Sequence, residues 1–414
     1  LLQNYKTTTR ELSNAQGVWR LIKSGFGQST NQNTVEAFFE AVTEAIGPLE
    51  GEEPEVVWVF ASGDHCLDAE VGLAVAVDAA STNRVVGCSG MGVLSIKAEL
   101  EQRSAVVAMA VAGDEVEAIP FIVPAETAAT ELDALLTPYG ADAGLLFVFS
   151  SLSAGHPTDL IDALSASIGF PIVGGTASAP AMNPKTFQWL GSDVQTDAVA
   201  GVLLRGEFET VTGVAQGCQP FGQAYTITKA EGNTIYELAF TPAIDALKEA
   251  LDHLTPDQKE NVGPAVFAGI AINEYDSKRN RGDFLIRNLV GMNPKDGSLA
   301  IGEAVTVGQT LQFNRRTPEA AHVDLEQTTL AVREQLGVRT PQFGFYVNCL
   351  GRGFGLYGRP DHDVEVIRRD LDSFPLIGFF GNAEFAPVGG QNFVHSYTGG
   401  LVVFAELSDD DRSG

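Results

Sequence analysis

Apolar and polar positions along this chain fall into a rhythm that returns three times. Each return opens with a short unbroken apolar run, the mark of a strand buried on both faces. The runs are Val56-Val57-Trp58-Val59-Phe60, Leu145-Leu146-Phe147-Val148-Phe149 and Phe343-Gly344-Phe345-Tyr346-Val347. Each ends in small and polar residues: Ala61-Ser62-Gly63-Asp64-His65-Cys66, Ser150-Ser151-Leu152-Ser153-Ala154-Gly155-His156, and Asn348-Cys349-Leu350-Gly351-Arg352-Gly353. The spacing that follows predicts amphipathic helices over about 67–80, 157–168 and 361–373. Pro157 and Pro360 stand where a helix start tolerates proline. A second buried strand ending in glycine comes next, through Gly87, Gly174-Gly175 and Gly378, and a further strand closes each unit at 105–111, 198–204 and 400–404. Strand, crossover helix and strand make a parallel pair, to which the closing strand adds antiparallel pairing. The predicted unit is β-α-β-β. The Phe-Pro-x-x-Gly shared by Phe170-Pro171 and Phe374-Pro375 sets it above a chance alignment of apolar strings.

Between the second and third units the pattern changes. Strands are predicted at 210–215 and 224–230 around a turn at Cys218-Gln219-Pro220-Phe221-Gly222, with a hairpin turn at Gly232-Asn233. A helix follows over about 242–253, and strands at 266–272, 284–290 and 304–313. The organisation read from this is an N-terminal extension (1–17), a first module (18–210), a second module (211–405) and a disordered acidic tail (406–414). The expected fold class is α/β: mixed sheets in a layered α-β-β-α-like arrangement, built from pseudo-repeated β-α-β-β modules in two packed halves.

Composition narrows the partners. Asp plus Glu number 53 against 26 Lys plus Arg, for a formal charge of −27, which repels a nucleic-acid backbone and an anionic membrane surface. Four cysteines (Cys66, Cys88, Cys218, Cys349) form no CxxC pair, which argues against a disulfide scaffold or a thiolate zinc site and fits a reducing compartment. No apolar run reaches the roughly 18–20 residues of a membrane helix. A cytoplasmic protein is expected, without cofactor or metal.

Ligands of open α/β sheets gather at the carboxyl ends of strands, and the third unit is chemically the richest there. Gly351 and Gly353 flank Arg352, so the backbone turns tightly and a projecting guanidinium could capture a carboxylate bidentately. Glu384 sits in an apolar, glycine-rich stretch read as a loop, and His395 to Thr398 add polar tips before the last strand. Arg352 for a carboxylate, Glu384 for an ammonium, and Asn348, Cys349, His395 and Tyr397 around them describe a site for a small zwitterion. A plain alternative is that Arg352 and Glu384 pair with each other. Cys349 and His395 could also form a nucleophile–base pair, with Asn348 or Glu384 orienting the imidazole. Asp64-His65-Cys66 holds three metal-ligating types, but adjacent residues rarely converge on one ion. Gly87-Cys88-Ser89-Gly90-Met91-Gly92 lacks the spacing of a phosphate-binding loop.

From about Val18 to about Phe404 the chain resembles the FIST domain proteins (F-box and intracellular signal transduction). The motifs are Val86-Gly87-Cys88-Ser89-Gly90, Ile227-Thr228-Lys229 with Gly232-Asn233-x-Ile235-Tyr236-Glu237-Leu238, Asn348-Cys349-x-Gly351-Arg352-Gly353, Phe374-Pro375-x-x-Gly378 and Glu384-Phe385-Ala386-Pro387-x-Gly389-Gly390. The resemblance implies an N module followed by a C module, and a sensory role in which small ligands, amino acids among them, are bound. It adds Cys88 and Ser89 to the candidate ligand-binding residues, and it implies an output partner that is a separate signalling protein or a segment cut away. A cysteine-dependent enzyme and a protein-interaction scaffold stand beside that reading.

Overall fold

A computed structural model describes residues 22–140, 144–180, 184–256, 266–275 and 282–407. The N-terminal extension and most of the expected disordered tail lie outside these residues. The first module runs β1 (Lys23–Ser29), α1 (Thr34–Ile46), β2 (Val56–Ser62), α2 (Ala69–Ala80), β3 (Val85–Gly90), β4 (Gly92–Ser95), β5 (Ala98–Glu101) and β6 (Ala105–Ala112). The second repeats this order as β7 (Val116–Pro124), α3 (Ala128–Leu136), β8 (Leu145–Ser150), α4 (Pro157–Ser167), β9 (Ile172–Thr176), β10 (Gln188–Leu190), β11 (Asp193–Gln195) and β12 (Ala198–Gly206). The third begins with β13 (Phe208–Ala215) and is then interrupted. The interruption holds β14 (Cys218–Glu231), β15 (Thr234–Leu238), β16 (Thr241–Pro242), α5 (Ala243–Asp252), β17 (Val266–Ala271), β18 (Phe284–Asn293), β19 (Ser298–Ile301) and β20 (Thr310–Arg316). The module resumes with α6 (Pro318–Leu336), β21 (Pro341–Cys349), α7 (His362–Leu371), β22 (Leu376–Gly381), β23 (Ala383–Val388), β24 (Gln391–His395) and β25 (Gly399–Glu406).

The α/β class and the mixed sheets are as the sequence predicts, while the repeating unit is longer than β-α-β-β. Each module begins with an additional strand and helix, and a hairpin precedes its last strand. That hairpin does not stay at home. The sheet orders are β1-β6-β2-β3-β10-β11, β24-β23-β9-β8-β12-β7 and β13-β25-β21-β22-β4-β5. Every module thus contributes four strands to its own sheet and a hairpin to another: the first to the third, the second to the first, the third to the second. The register of each exchange is antiparallel, as in Gly378↔Leu94, Trp189↔Gly87 and Glu384↔Gly175.

Inner faces of the three sheets meet in one core, and helices cover the outer faces. Alternation along the strands produces this division: Val56, Trp58 and Phe60 point inward, whereas Val57, Val59 and Ala61 point to α1 and α2. Trp58, Phe147 and Phe345, one from the first buried strand of each module, form a triangle with ring centroids 5.2, 4.9 and 4.7 Å apart. Such tilted aromatic pairs contribute about 0.5–1.5 kcal/mol each beyond area burial. The glycine recurring in each second strand has a steric cause. A Cβ on Gly87, Gly174 or Gly378 would stand 1.8, 2.0 or 1.8 Å from the carbonyl oxygen of Val59, Val148 or Tyr346.

The interruption forms its own seven-stranded sheet, β14-β20-β17-β18-β19-β15-β16, packed on α5 through Leu247, Ile227, Leu311 and Phe313. The turn expected at Cys218–Gly222 is instead the start of β14, whose pairing with β20 runs from Cys218 through a bulge between Phe221 and Ala224. The bulge absorbs the Pro220 and Gly222 that made the segment look like a turn. The strand predicted at 304–313 begins only at Thr310, and Glu384 lies in β23, not in a loop. Among the described residues no helix is long and apolar enough to cross a membrane.

Candidate functional site

Two polar clusters flank the carboxyl end of β21, one on each face. Asn348 and Tyr346 point toward α6 and α7, while Val347 and Cys349 point to the other side, as period-two alternation requires. On the helix side the centre is Asp363, in the first turn of α7 and fully buried. It receives Arg352 Nε at 2.8 Å and Nη2 at 3.2 Å, Tyr346 Oη at 2.9 Å, Asn348 Nδ2 at 3.2 Å and His362 Nδ1 at 2.8 Å. Burial alone would raise the Asp363 carboxyl, but the Arg352 guanidinium and His362 overrule it and hold it below the ordinary carboxylate range. Arg352 is 1% exposed and also donates to Tyr357 Oη at 2.8 Å. Its guanidinium does not project, and its carboxylate partner is Asp363, not Glu384.

The hairpin from the first module closes this network. Glu99 of β5 accepts from the backbone N–H of Asp363 and Val364 at 2.8 and 3.1 Å, satisfying donors left open at the start of α7. Burial first, and the Asp363 charge next, push Glu99 up to about 8. Glu101 accepts from Phe354 N–H at 2.8 Å. Gly353 has φ +64, and a Cβ there would lie 2.5 Å from the Glu101 carboxylate, so any other residue would be strained and would displace that carboxylate.

The second cluster lies on the seam between the third module and the inserted sheet. Arg316, at the end of β20, donates from Nη1 to the Gly351 carbonyl at 2.7 Å and from Nη2 to the Tyr397 carbonyl at 3.4 Å. Its Cζ stands 5.0 Å from the centre of the Tyr397 ring. Its Nε is shut off from solvent and has no hydrogen-bond partner. Among the described residues no carboxylate forms a salt bridge with it. Burial and the like charge of Arg352 both lower its affinity for a proton. A Cβ on Gly351 would come within 2.8 Å of the Arg316 Nη1, so this glycine admits the guanidinium.

Glu384 and Cys349 complete this side. Glu384 is fully buried; its Oε2 accepts from Thr398 N–H at 3.1 Å and its Oε1 has no partner. Burial pushes its carboxyl up to about 8, against the Thr398 hydrogen bond and the neighbouring Cys349 thiol, so it is neutral at neutral pH. Burial, with Glu384 beside it, pushes the Cys349 thiol up to about 12. Tyr397 covers the cluster at φ 64, a conformation uncommon outside glycine and a mark of stored backbone strain. Its ring packs on Phe267 at 4.5 Å and its hydroxyl donates to Asn288 at 2.6 Å, both in the inserted sheet.

The structure therefore gathers five of the sequence candidates around one strand end. Asn348 and Arg352 lie on one side; Cys349, Glu384 and Tyr397 lie on the other. His395 is the cross-strand neighbour of Glu384, but its Nε2 is 3.0 Å from the Ala386 carbonyl and burial lowers it to about 4. Glu384, rather than His395, stands beside the Cys349 thiol. Cys88 and Ser89 sit apart in the first module: Cys88 is in the central core, and the Ser89 hydroxyl accepts from Phe187 N–H at 3.0 Å. Arg316 and Asp363 were missed. Arg316 ends a strand beside Arg315 and reads as solvent-facing, and nothing in the spacing links Asp363 to Arg352 eleven residues earlier. Among the described residues no group of three or more His, Cys, Asp or Glu stands ready to hold a metal ion.

Three interlocked α/β modules, with one strand end flanked by an inserted sheet, define the class of protein. The chain belongs to the FIST family: a FIST N domain matches residues 55–239 and a FIST C domain residues 243–387. FIST domains are associated with sensory roles in signal transduction. The junction between the two matched regions, residues 240–242, falls between β15 and α5 and takes in β16, inside the interruption. An uncharacterized protein of Mycobacterium tuberculosis is 33% identical over 390 residues, covering 93% of this chain and all of that protein. One from Mycobacterium bovis is 32% identical over 396 residues, covering 93% and 99%. Among solved structures, a chorismatase aligns over 94% of this chain and 100% of its own at 9% identity, with a TM-score of 0.31. A cyanuric acid hydrolase from A. caulinodans aligns over 46% and 72% at 13% identity, with a TM-score of 0.27. Likeness at these scores bears on neither fold nor chemistry.

Proposed function

We propose that this protein is a sensor for a small carboxylate, held by Arg316 at the seam between the third module and the inserted sheet. The observation that carries this is the contrast in pairing: Arg352 has an ionised carboxylate, whereas Arg316 has two backbone carbonyls and an unpartnered Nε. A guanidinium whose Nε is shut off from water without a counter-charge is costly, and an anion that fills the gap recovers that cost. Tyr397, strained and partly exposed, is the cover that a ligand displaces, and its contacts with Phe267 and Asn288 carry the displacement to the inserted sheet. Glu384, neutral and with a free Oε1, offers a hydrogen bond to the ligand and would have to ionise to meet an ammonium. That favours a plain carboxylate over an amino acid. A cysteine-dependent reaction has less support, because a thiol raised to about 12 carries almost no thiolate at neutral pH. We place the protein in the cytoplasm, in keeping with free thiols at Cys66, Cys88 and Cys349, acting on a separate signalling protein.

The test is a thermal-shift screen of small carboxylates and amino acids, followed by calorimetry, because a ligand that binds the native state raises its melting temperature. A carboxylate that stabilises the wild type and fails with Arg316→Gln is the expected result. A ligand response that survives Arg316→Gln removes Arg316 from the site. A response confined to amino acids restores the zwitterion reading.

A further inference from the structure

We infer that His322 and His362 form a binding site for a borderline divalent transition metal, copper(II) or zinc, at the outer end of the Asp363 network. His322 lies on α6 and His362 opens α7, and these packed helices bring His322 Nδ1 within 3.1 Å of His362 Nε2. The ring planes stand at 74° with centroids 5.1 Å apart, and the two nitrogens share a hydrogen bond that a metal ion would replace. Two imidazole nitrogens on one tetrahedral zinc, with bonds of about 2.0–2.1 Å, are separated by about 3.3 Å. The observed pair needs only a few tenths of an ångström of opening.

What fixes the arrangement is Asp363. A carboxylate only accepts, so the 2.8 Å contact places the His362 proton on Nδ1 and leaves Nε2 with its lone pair toward His322. Carboxylate, imidazole and metal in line is the arrangement that orients a ligating histidine and raises its basicity. Tyr357 stacks on the His362 ring with centroids 3.4 Å apart and planes at 13°, holding the ring against rotation. His362 is 4% exposed whereas His322 is half-buried, so the site opens to solvent on the His322 side, and water completes the coordination. With two neutral nitrogen donors the affinity order places copper(II) above zinc. No part of this depends on the carboxylate reading, since Arg316 and Tyr397 contribute nothing to it.

The full chain, freed of metal with a chelator, is titrated with copper(II) and separately with zinc. One equivalent is expected to bind and to raise the melting temperature. The copper(II) electron paramagnetic resonance spectrum should carry nitrogen hyperfine structure from two imidazoles. His322→Ala should lower the affinity at least tenfold and reduce the spectrum to one imidazole. His322→Gln, which keeps the helix face filled, should do the same. A double variant at the exposed His156 and His253, each changed to Gln, should bind as the wild type does. A single-imidazole spectrum in the wild type, an affinity unmoved by either His322 change, or a loss in the His156/His253 variant would each overturn the assignment.

Discussion

The two faces of β21 hold the same kind of residue in opposite circumstances. Arg352 on the helix side is enclosed with an ionised carboxylate and a tyrosine, and the hairpin of another module bonds the backbone of that carboxylate's residue. Arg316 on the seam side is held by two carbonyl oxygens and an aromatic ring, with a neutral acid and a thiol nearby. The difference teaches that a conspicuous arginine in a glycine-bounded loop can be architecture, while an inconspicuous one at a strand end retains unmet binding capacity. Removing Asp363 tests the first half most severely. Asp363→Ala leaves Arg352 buried without a counter-charge and should cost about 3–5 kcal/mol in urea unfolding; a cost below about 1 kcal/mol would show that the pair does not organise the region. Adding Arg352→Met to Asp363→Asn should be milder than the two single changes summed, with a coupling of about 1–3 kcal/mol.

Glu384 sharpens the comparison through pH. Its folded carboxyl, raised to about 8 by burial, keeps a proton that the unfolded chain releases near the ordinary 4.5. Stability from this group is full below about 4.5, declines as pH rises, and is lost above about 8. Glu384→Gln cannot ionise, so melting curves from pH 5 to 8 should lose that part of the decline; an unchanged slope would mean the acid is not held neutral. The smallest effect is expected at Arg316. Arg316→Gln breaks no ion pair and relieves repulsion from Arg352, so the unliganded melting free energy should change by about 1 kcal/mol or less. A loss as large as that of Asp363→Ala would erase the distinction between the two arginines.

Much of the body was legible in the sequence, and for one reason: strands buried on both faces write unbroken apolar runs. The helices read over about 67–80, 157–168 and 361–373 stand at Ala69–Ala80, Pro157–Ser167 and His362–Leu371, and the Gly232-Asn233 turn joins β14 to β15. α6 escaped notice because its 19 residues are too evenly polar to show an apolar stripe, although Thr317 accepts from Ala320 N–H as an N-cap and Pro318 follows it. The exchange of hairpins left no local sign at all. Gly92 to Glu101 pairs on one side with its own hairpin and on the other with β22, and only the assembled sheets reveal it. The site was half legible for the same reason: Asn348, Cys349 and Arg352 share one strand end and the loop after it, while Asp363, Arg316 and Glu99 reach it from separate elements.

That exchange also sets a clock. Ser95 leaves the ribosome as part of a finished hairpin, yet its sheet partner Ile377 follows roughly 280 residues later. At synthesis rates of about 5–20 residues per second, the outer edge of β4 waits roughly 14–56 s for its neighbour. Through that interval a newborn chain carries an unpaired strand edge of the kind that recruits other strands. The first module's hairpin cannot be paired before the third module exists, so a chain stalled or cut anywhere before β22 is left with an open strand edge. An N-terminal half made alone should therefore be found with chaperones or in aggregates rather than as a small folded protein.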